Sequence, residues 1–192
     1  MAAGKTENNR KRKQKKPGGI LREFISISIY LLSVLLLTYL LITFVVQRTV
    51  VQGESMENTL MDGDNLLVDK LTYRFHEIKR FDIVVFPFAY EADTYYIKRV
   101  IGLPGETVYI DDSGNIFING EQLSESFGNE TIKSPGIAGN TVYLSSTQYF
   151  VLGDNRNHSS DSRDPSIGAV ERDRIVGRAA FRIYPFAKKG KL

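Results

Sequence analysis

Three stretches of the 192-residue chain carry residue types that do chemistry. The first is Gly53-Glu54-Ser55-Met56-Glu57-Asn58-Thr59-Leu60, which sets Ser55 in a turn-like surrounding. The second, Tyr95-Tyr96-Ile97-Lys98-Arg99-Val100-Ile101-Gly102, sets Lys98 in an apolar run. The third is Gly153-Asp154-Asn155-Arg156-Asn157-His158-Ser159-Ser160-Asp161-Ser162-Arg163. Each alone has an ordinary reading: a serine that caps a turn, a lysine that points to water, a polar loop. A serine hydroxyl is a poor nucleophile at neutral pH and needs a positioned base. His158 and Asp161 beside Ser159 or Ser160 suggest a Ser-His-Asp arrangement, but triad members usually come from separate segments, because adjacent residues rarely converge in hydrogen-bonding geometry. A lysine serves as base only when neutral. Its ordinary pKa is about 10.4, and burial among apolar groups lowers it by several units. Lys98, between Ile97 and Val100 with Tyr95 and Tyr96 nearby, has that kind of neighbourhood, and strand alternation turns Arg99 to the other face.

Other chemistries have less to work with. There is no cysteine and there are two histidines, His76 and His158, so thiolate sites and multi-histidine metal sites are not expected. No cofactor is expected either. His76, within Tyr73–Lys79, has no partner in view.

The elements that must position these residues read as β-strands. Runs rich in Val, Ile, Tyr and Phe, punctuated by Gly, Asp and Asn, predict strands at Thr49–Gln52, Asn65–Lys70, Asp82–Phe86, Tyr95–Gly102, Thr107–Asp111, Ile116–Asn119, Thr141–Leu144, Tyr149–Leu152 and Ile175–Tyr184. Asp111-Asp112-Ser113-Gly114-Asn115 and Asn119-Gly120 are turn chemistry, and the first predicts a hairpin. A loop-rich excursion is expected at about 112–145. No internal repeat is present, and no long helical period follows residue 46.

Before this body lies FISISIYLLSVLLLTYLLITFVV, residues 24–46, without charge, Pro or Gly. As a helix it spans about 34 Å, against a hydrocarbon core of about 30 Å. It is longer than a cleavable signal's apolar region, and Val45-Val46-Gln47-Arg48 offers no small-residue cleavage site. The expectation is an uncleaved transmembrane anchor. Eight Lys and Arg fall in residues 1–22 and Arg48 alone just after the span, which places the N-terminus in the cytoplasm and residues 47–192 across the membrane. The short Gln47–Glu54 link then holds Ser55 near the bilayer surface. Residues 1–23 form a basic tail, disordered over about the first 19, that also suits lipid head groups. Beyond residue 23, 17 bases face 20 acids, so the body is mildly acidic and no nucleic-acid partner is expected. The fold class is mainly β, an antiparallel β-sheet domain with one N-terminal transmembrane helix.

Taken together, the anchor, GESMENTL, DNLLVDKL, FDIVVF, YYIKRVIGLPGE and GDNRNHSSDSR, in that order, closely resemble the type I (leader) signal peptidases in their short bacterial form. The resemblance covers nearly all of residues 24–185. It implies an antiparallel β-sheet peptidase domain of that type, with Ser55 as nucleophile and Lys98 as general base. It further implies that Ser159 hydrogen-bonds the base, that Asp154 pairs with Arg99 and Asp161 with Arg163, and that Val51, Met56, Leu60, Leu66, Val85, Tyr96 and Ile97 line the substrate pockets. Core packing is the competing role for several of these. The Ser55 N–H is the first oxyanion donor. Some relatives place a serine hydroxyl two residues earlier, where this chain has Gly53, so the second donor is expected from the Gly53 main chain. One position departs from the family pattern: Asn58 stands where proline is usual, and the expected consequence is a less stiff turn.

By that resemblance the substrates are the signal peptides of exported preproteins, with small residues before the cut, docking as an added β-strand. The bilayer is a second partner and the export machinery a possible third. Two other readings remain open at this level. One is a tethered β-domain that binds exported chains without cutting them. The other is a Ser-Lys peptidase devoted to one partner or to itself.

Overall fold

A computed structural model describes residues 18–88 and 94–192, with the side chains of residues 18, 20, 42 and 43 set aside. The chain forms two compact units, Met1–Leu41 and Ile42–Leu192.

Helix α1 runs Gly18–Phe44. Its segment Leu21–Leu41 is long and apolar enough to cross a membrane. The helix starts six residues before the apolar run, so Gly18–Glu23, expected in the tail, are helical; residues 1–17 of that tail lie outside the described residues. It also stops short of the run's end. Val45 and Val46 are β-branched, and they find strand partners: Lys70 N–H donates to Val45 O, and Val46 pairs with Asp69. Tertiary pairing thus takes the last residues of the apolar run, and the strand expected at Thr49–Gln52 begins earlier.

The strands are β1 Val46–Val50, β2 Asn65–Asp69, β3 Ile83–Pro87, β4 Tyr95–Gly102, β5 Thr107–Ile110, β6 Ile116–Ile118, β7 Glu121–Gln122, β8 Val142–Tyr143, β9 Gln148–Leu152, β10 Val170–Glu171, β11 Gly177–Tyr184 and β12 Gly190–Lys191. One short helix, α2 Thr72–Phe75, follows β2. An eight-stranded sheet has the order β1-β2-β11-β3-β4-β9-β10, with β12 on β11, and a four-stranded sheet has the order β7-β6-β5-β8. Every pairing is antiparallel.

The smaller sheet follows its turns. Asp111 Oδ1 accepts the N–H groups of Ser113 and Asn115, which closes the hairpin that pairs Ile110 with Ile116. Asn119 and Gly120 both have positive φ, 52° and 84°, and form the two-residue reversal into β7. Ile110, Ile116 and Ile118 face a core shared with Ile101, Phe150 and Leu152 of the large sheet.

Two registers place the chemistry. Pairing of Arg99 with Leu152 brings the loop after β9, which starts at Gly153, to the middle of β4. The β1–β2 ladder continues past Val50 through Val51 N–H to Asp64 O and Gly63 N–H to Val51 O. The residues between, which include Ser55, therefore project from one end of the sheet.

Candidate active site

Ser55 lies 43 residues before Lys98, and the fold closes that gap: Lys98 Nζ donates to Ser55 Oγ at 2.7 Å. Lys98 is 2% exposed and sits over the Tyr96 ring. Burial pushes its amine down from the ordinary 10.5 to about 8, against a smaller upward pull from Asp161 and Asp154.

Those two carboxylates are occupied elsewhere. Asp154, fully buried, takes Arg99 Nε at 2.8 Å and Nη2 at 2.6 Å in a two-point pair, and Thr59 Oγ1 at 2.5 Å. The Arg99 guanidinium also stacks 3.8 Å from the Phe127 ring centroid and donates to Phe81 O. Asp161 holds Arg163 through both oxygens and accepts Gly153 N–H at 3.0 Å. Neighbouring cations on β4 thus receive opposite treatment. Arg99 is matched by a carboxylate; Lys98 has no carboxylate partner among the described residues, and its burial favours the neutral form.

The turn that carries Ser55 is clamped from the third motif. Asn155 N–H donates to Ser55 O at 3.1 Å, and Asn155 Nδ2 donates to Glu54 O at 3.1 Å. Asn155 stands in the third motif, where the sequence alone assigns it no role; its place beside Asp154 is the signal that marks it. A side chain at Gly153 would collide with Ser55 O and Ser159 Oγ, so only glycine allows this approach of loop to turn.

The structure places several of these residues in other contacts than expected. Ser159 Oγ, expected on Lys98, is buried against Gly153 and makes no hydrogen bond among the described residues. Gly53, expected as an oxyanion donor, has its one donor engaged: its N–H goes to Asp62 Oδ1 at 2.8 Å. The Ser55 N–H has no acceptor among the described residues. Asn58 is not a relaxed stand-in for proline. Its φ is +81°, and proline's φ is locked near −65°, so the turn itself differs from one that proline could make. His158 and His76 are exposed, and with Asp161 tied to Arg163 the triad arrangement is not assembled.

A groove of about 640 Å³ runs past Ser55 and Lys98, lined by Gln47–Met56 on one side and by Thr94–Lys98 on the other, with His158 and Ser160 also in its lining. Of the expected pocket residues, Val51, Met56, Tyr96 and Ile97 line it, whereas Leu60, Leu66 and Val85 lie in the core cluster behind it. The groove borders two unpaired strand edges. Among the described residues β1 pairs only with β2, and β4 meets β9 only from Arg99 onward, which leaves one edge of Tyr95–Lys98 open. Such edges accept an added strand. No cluster of metal-binding side chains occurs among the described residues.

The family described as signal peptidase, peptidase S26, matches residues 21–184. Similar curated proteins include a signal peptidase I of Bacillus licheniformis, 38% identical over 141 residues that cover 70% of this chain and 74% of that one. A signal peptidase I of Leptolyngbya laminosa is 41% identical over 150 residues, 72% of this chain and 69% of the relative. A crystal structure of a signal peptidase I from Enterococcus faecalis V583 is 34% identical, covers 54% of this chain and 97% of its own, and superposes with a TM-score of 0.42.

Proposed function

This chain belongs to the signal peptidase family, peptidase S26, and from that premise we propose that it is a membrane-anchored serine endopeptidase that removes signal peptides from exported preproteins with Ser55 as nucleophile and Lys98 as general base. Family membership carries the enzyme class and the removal of signal peptides. The apolar helix is in keeping with a membrane location. The observation that carries the dyad is the 2.7 Å contact between Lys98 Nζ and Ser55 Oγ, made by a lysine 2% exposed.

In this reading neutral Lys98 takes the Ser55 proton as Oγ attacks the scissile carbonyl. The developing oxyanion meets the Ser55 N–H, which has no acceptor among the described residues. The lysine ammonium then protonates the leaving amine, which frees the mature chain and leaves the signal peptide esterified to Ser55. Neutral again, Lys98 removes a proton from water for hydrolysis of that ester. With a pKa of about 8, roughly a tenth of the amine is neutral at pH 7, so rate rises as pH approaches and passes 8.

The substrate lies extended in the groove between the open edges of β1 and β4, where main-chain bonds set register and the shallow space at Val51, Met56 and Ile97 favours small side chains. Arg156, Arg163 and Arg99 brace the loop rather than contact substrate, since each is nearly buried. The eight bases ahead of the anchor put the N-terminus in the cytoplasm and the groove outside.

The test is cleavage of several unrelated preproteins in membranes by the native protein, Ser55→Ala and Lys98→Ala. Cutting of all by the native chain and of none by either variant is the expected result. Residual full activity in either variant would overturn the dyad. Cutting of one preprotein alone would make the enzyme a dedicated peptidase, and cutting of none a binding module.

A further inference from the structure

We propose that Asp62 is a positioning residue for the Ser55 reaction: by holding the Gly53 N–H it fixes the backbone that leads into the nucleophile, so that the Ser55 N–H is the main-chain donor left for the substrate carbonyl. This rests on the assignment of Ser55 as nucleophile and goes beyond it.

The backbone from Val51 to Ser55 is fastened at both ends. At one end Val51 exchanges hydrogen bonds with Gly63 and Asp64. At the other, Asn155 holds Glu54 O and Ser55 O. Between them stands Gly53, with φ +85° and nothing within 4 Å of where a Cβ would be. No packing therefore restrains it, and glycine ranges more widely over φ and ψ than any other residue. The bond that selects one conformation is Gly53 N–H to Asp62 Oδ1, 2.8 Å.

Asp62 is well placed to act as a fixed post. Its own turn is secured without its side chain, through Met61 N–H to Asp64 Oδ2, Asp64 N–H to Met61 O, and the Asp64–Arg182 pair. Loss of the Asp62 carboxylate then releases Gly53 and leaves the turn standing. A small displacement of the nucleophile's backbone is costly in rate, because attack requires reacting atoms near van der Waals contact and aligned.

A rival arrangement gives the opposite sign. Were Gly53 N–H itself the second oxyanion donor, the Asp62 carboxylate would compete with the substrate carbonyl for it, and its removal would raise kcat. The experiment measures kcat and KM separately on a signal-peptide-bearing substrate with the full-length protein in detergent. The variants are Asp62→Ala, Asp62→Asn, Gly53→Ala and the Asp62→Ala/Gly53→Ala double variant. Asp62→Ala is expected to lower kcat about tenfold with KM within about twofold. Asp62→Asn, whose amide oxygen accepts the same bond, returns kcat to within about twofold of native. Gly53→Ala strains the positive φ and loses rate through the same backbone, so the double variant falls short of the product of the single losses.

An unchanged or raised kcat in Asp62→Ala, or full additivity in the double variant, would overturn the proposal. If Asp62→Ala fails to fold, Asp62→Asn decides: native-like kcat supports the positioning role, and a several-fold rise assigns Gly53 to the oxyanion. Ser55→Ala, run alongside, separates the two assignments, because activity surviving there defeats the nucleophile and not Asp62.

Discussion

On the β4 side of the groove the charged groups are buried and matched. Arg99 and Asp154 form a two-point pair, Arg163 and Asp161 another, and Phe127 covers the first guanidinium. On the opposite side, Val51–Ser55 runs mostly exposed, held by a handful of single hydrogen bonds from Asp62, Asp64, Gly63 and Asn155. Lys98, the proposed base, thus sits on a stiff, desolvated wall and Ser55, the proposed nucleophile, on a lighter one. The two walls solve different problems. Lys98 must be kept dry to stay neutral, and dryness near buried carboxylates is tolerable only if those carboxylates are already paired. In the proposed reaction Ser55 must be reachable by a peptide strand, so its wall cannot be covered.

The largest effect expected from breaking this contrast is at Lys98. Lys98→Met and Lys98→Arg should both lower cleavage by a factor of about 10³ or more, since neither accepts a proton. The native rate should rise with pH through about 8, the value to which burial lowers the amine. Stability moves in the same direction. Lysine's folded pKa lies below its unfolded 10.5, so the unfolded chain binds more protons between about 8 and 10.5. Native stability contributed by this group therefore rises with pH across that window, and its full penalty is present below it. Lys98→Met should raise stability at pH 7 by about 1–3 kcal/mol while abolishing activity, measured by denaturant unfolding. An unchanged midpoint would mean the amine is better hydrated than its surroundings allow.

Next comes the matched pair. Arg99→Met strands Asp154 in the interior and should cost about 3–5 kcal/mol. Replacing both partners by apolar residues should recover much of that loss. A cost below 1 kcal/mol for the single change would show that the β4 wall does not depend on charge matching.

On the lighter wall the effects are smaller. Asn58→Pro cannot reach φ +81° and should destabilise by more than about 1 kcal/mol. Asn58→Gly should be neutral or slightly stabilising, because glycine adopts that region freely. The opposite order, followed by thermal unfolding, would mean the turn relaxes readily into the proline-compatible shape.

Smallest of all is Ser159→Ala. Its hydroxyl is buried without a partner among the described residues, so removal should lower activity less than tenfold, in a steady-state assay. A collapse in kcat would place Ser159 on Lys98 during turnover.

Much of this was legible in the sequence, and the gaps have identifiable causes. β4 reads over Tyr95–Gly102 because Tyr95, Tyr96, Ile97, Val100 and Ile101 are strand-favouring residues and leave no competing pattern. Strands β7, β10 and β12 are two residues long and exist only through their partners, so no local pattern marks them. Asn119-Gly120 announced a reversal but not that β7 would follow it. The pocket residues Leu60, Leu66 and Val85 were separable from Met56 and Ile97 only by position in three dimensions, since all are apolar and all are nearly buried.

Composition and order by themselves determined the apolar helix, the uneven charge, the β-rich body and the three stretches that carry Ser55, Lys98 and the Asp154–Arg163 loop. These depend on local pattern, which the chain states directly. The fold alone decided that Lys98 would meet Ser55 across 43 residues, that Arg99 would take the carboxylate its neighbour lacks, that Gly53 would give its N–H to Asp62, and that Asn58 would turn left-handed. Each of these depends on strand register and on which groups are withdrawn from water, and both are set by pairing between segments far apart in the chain.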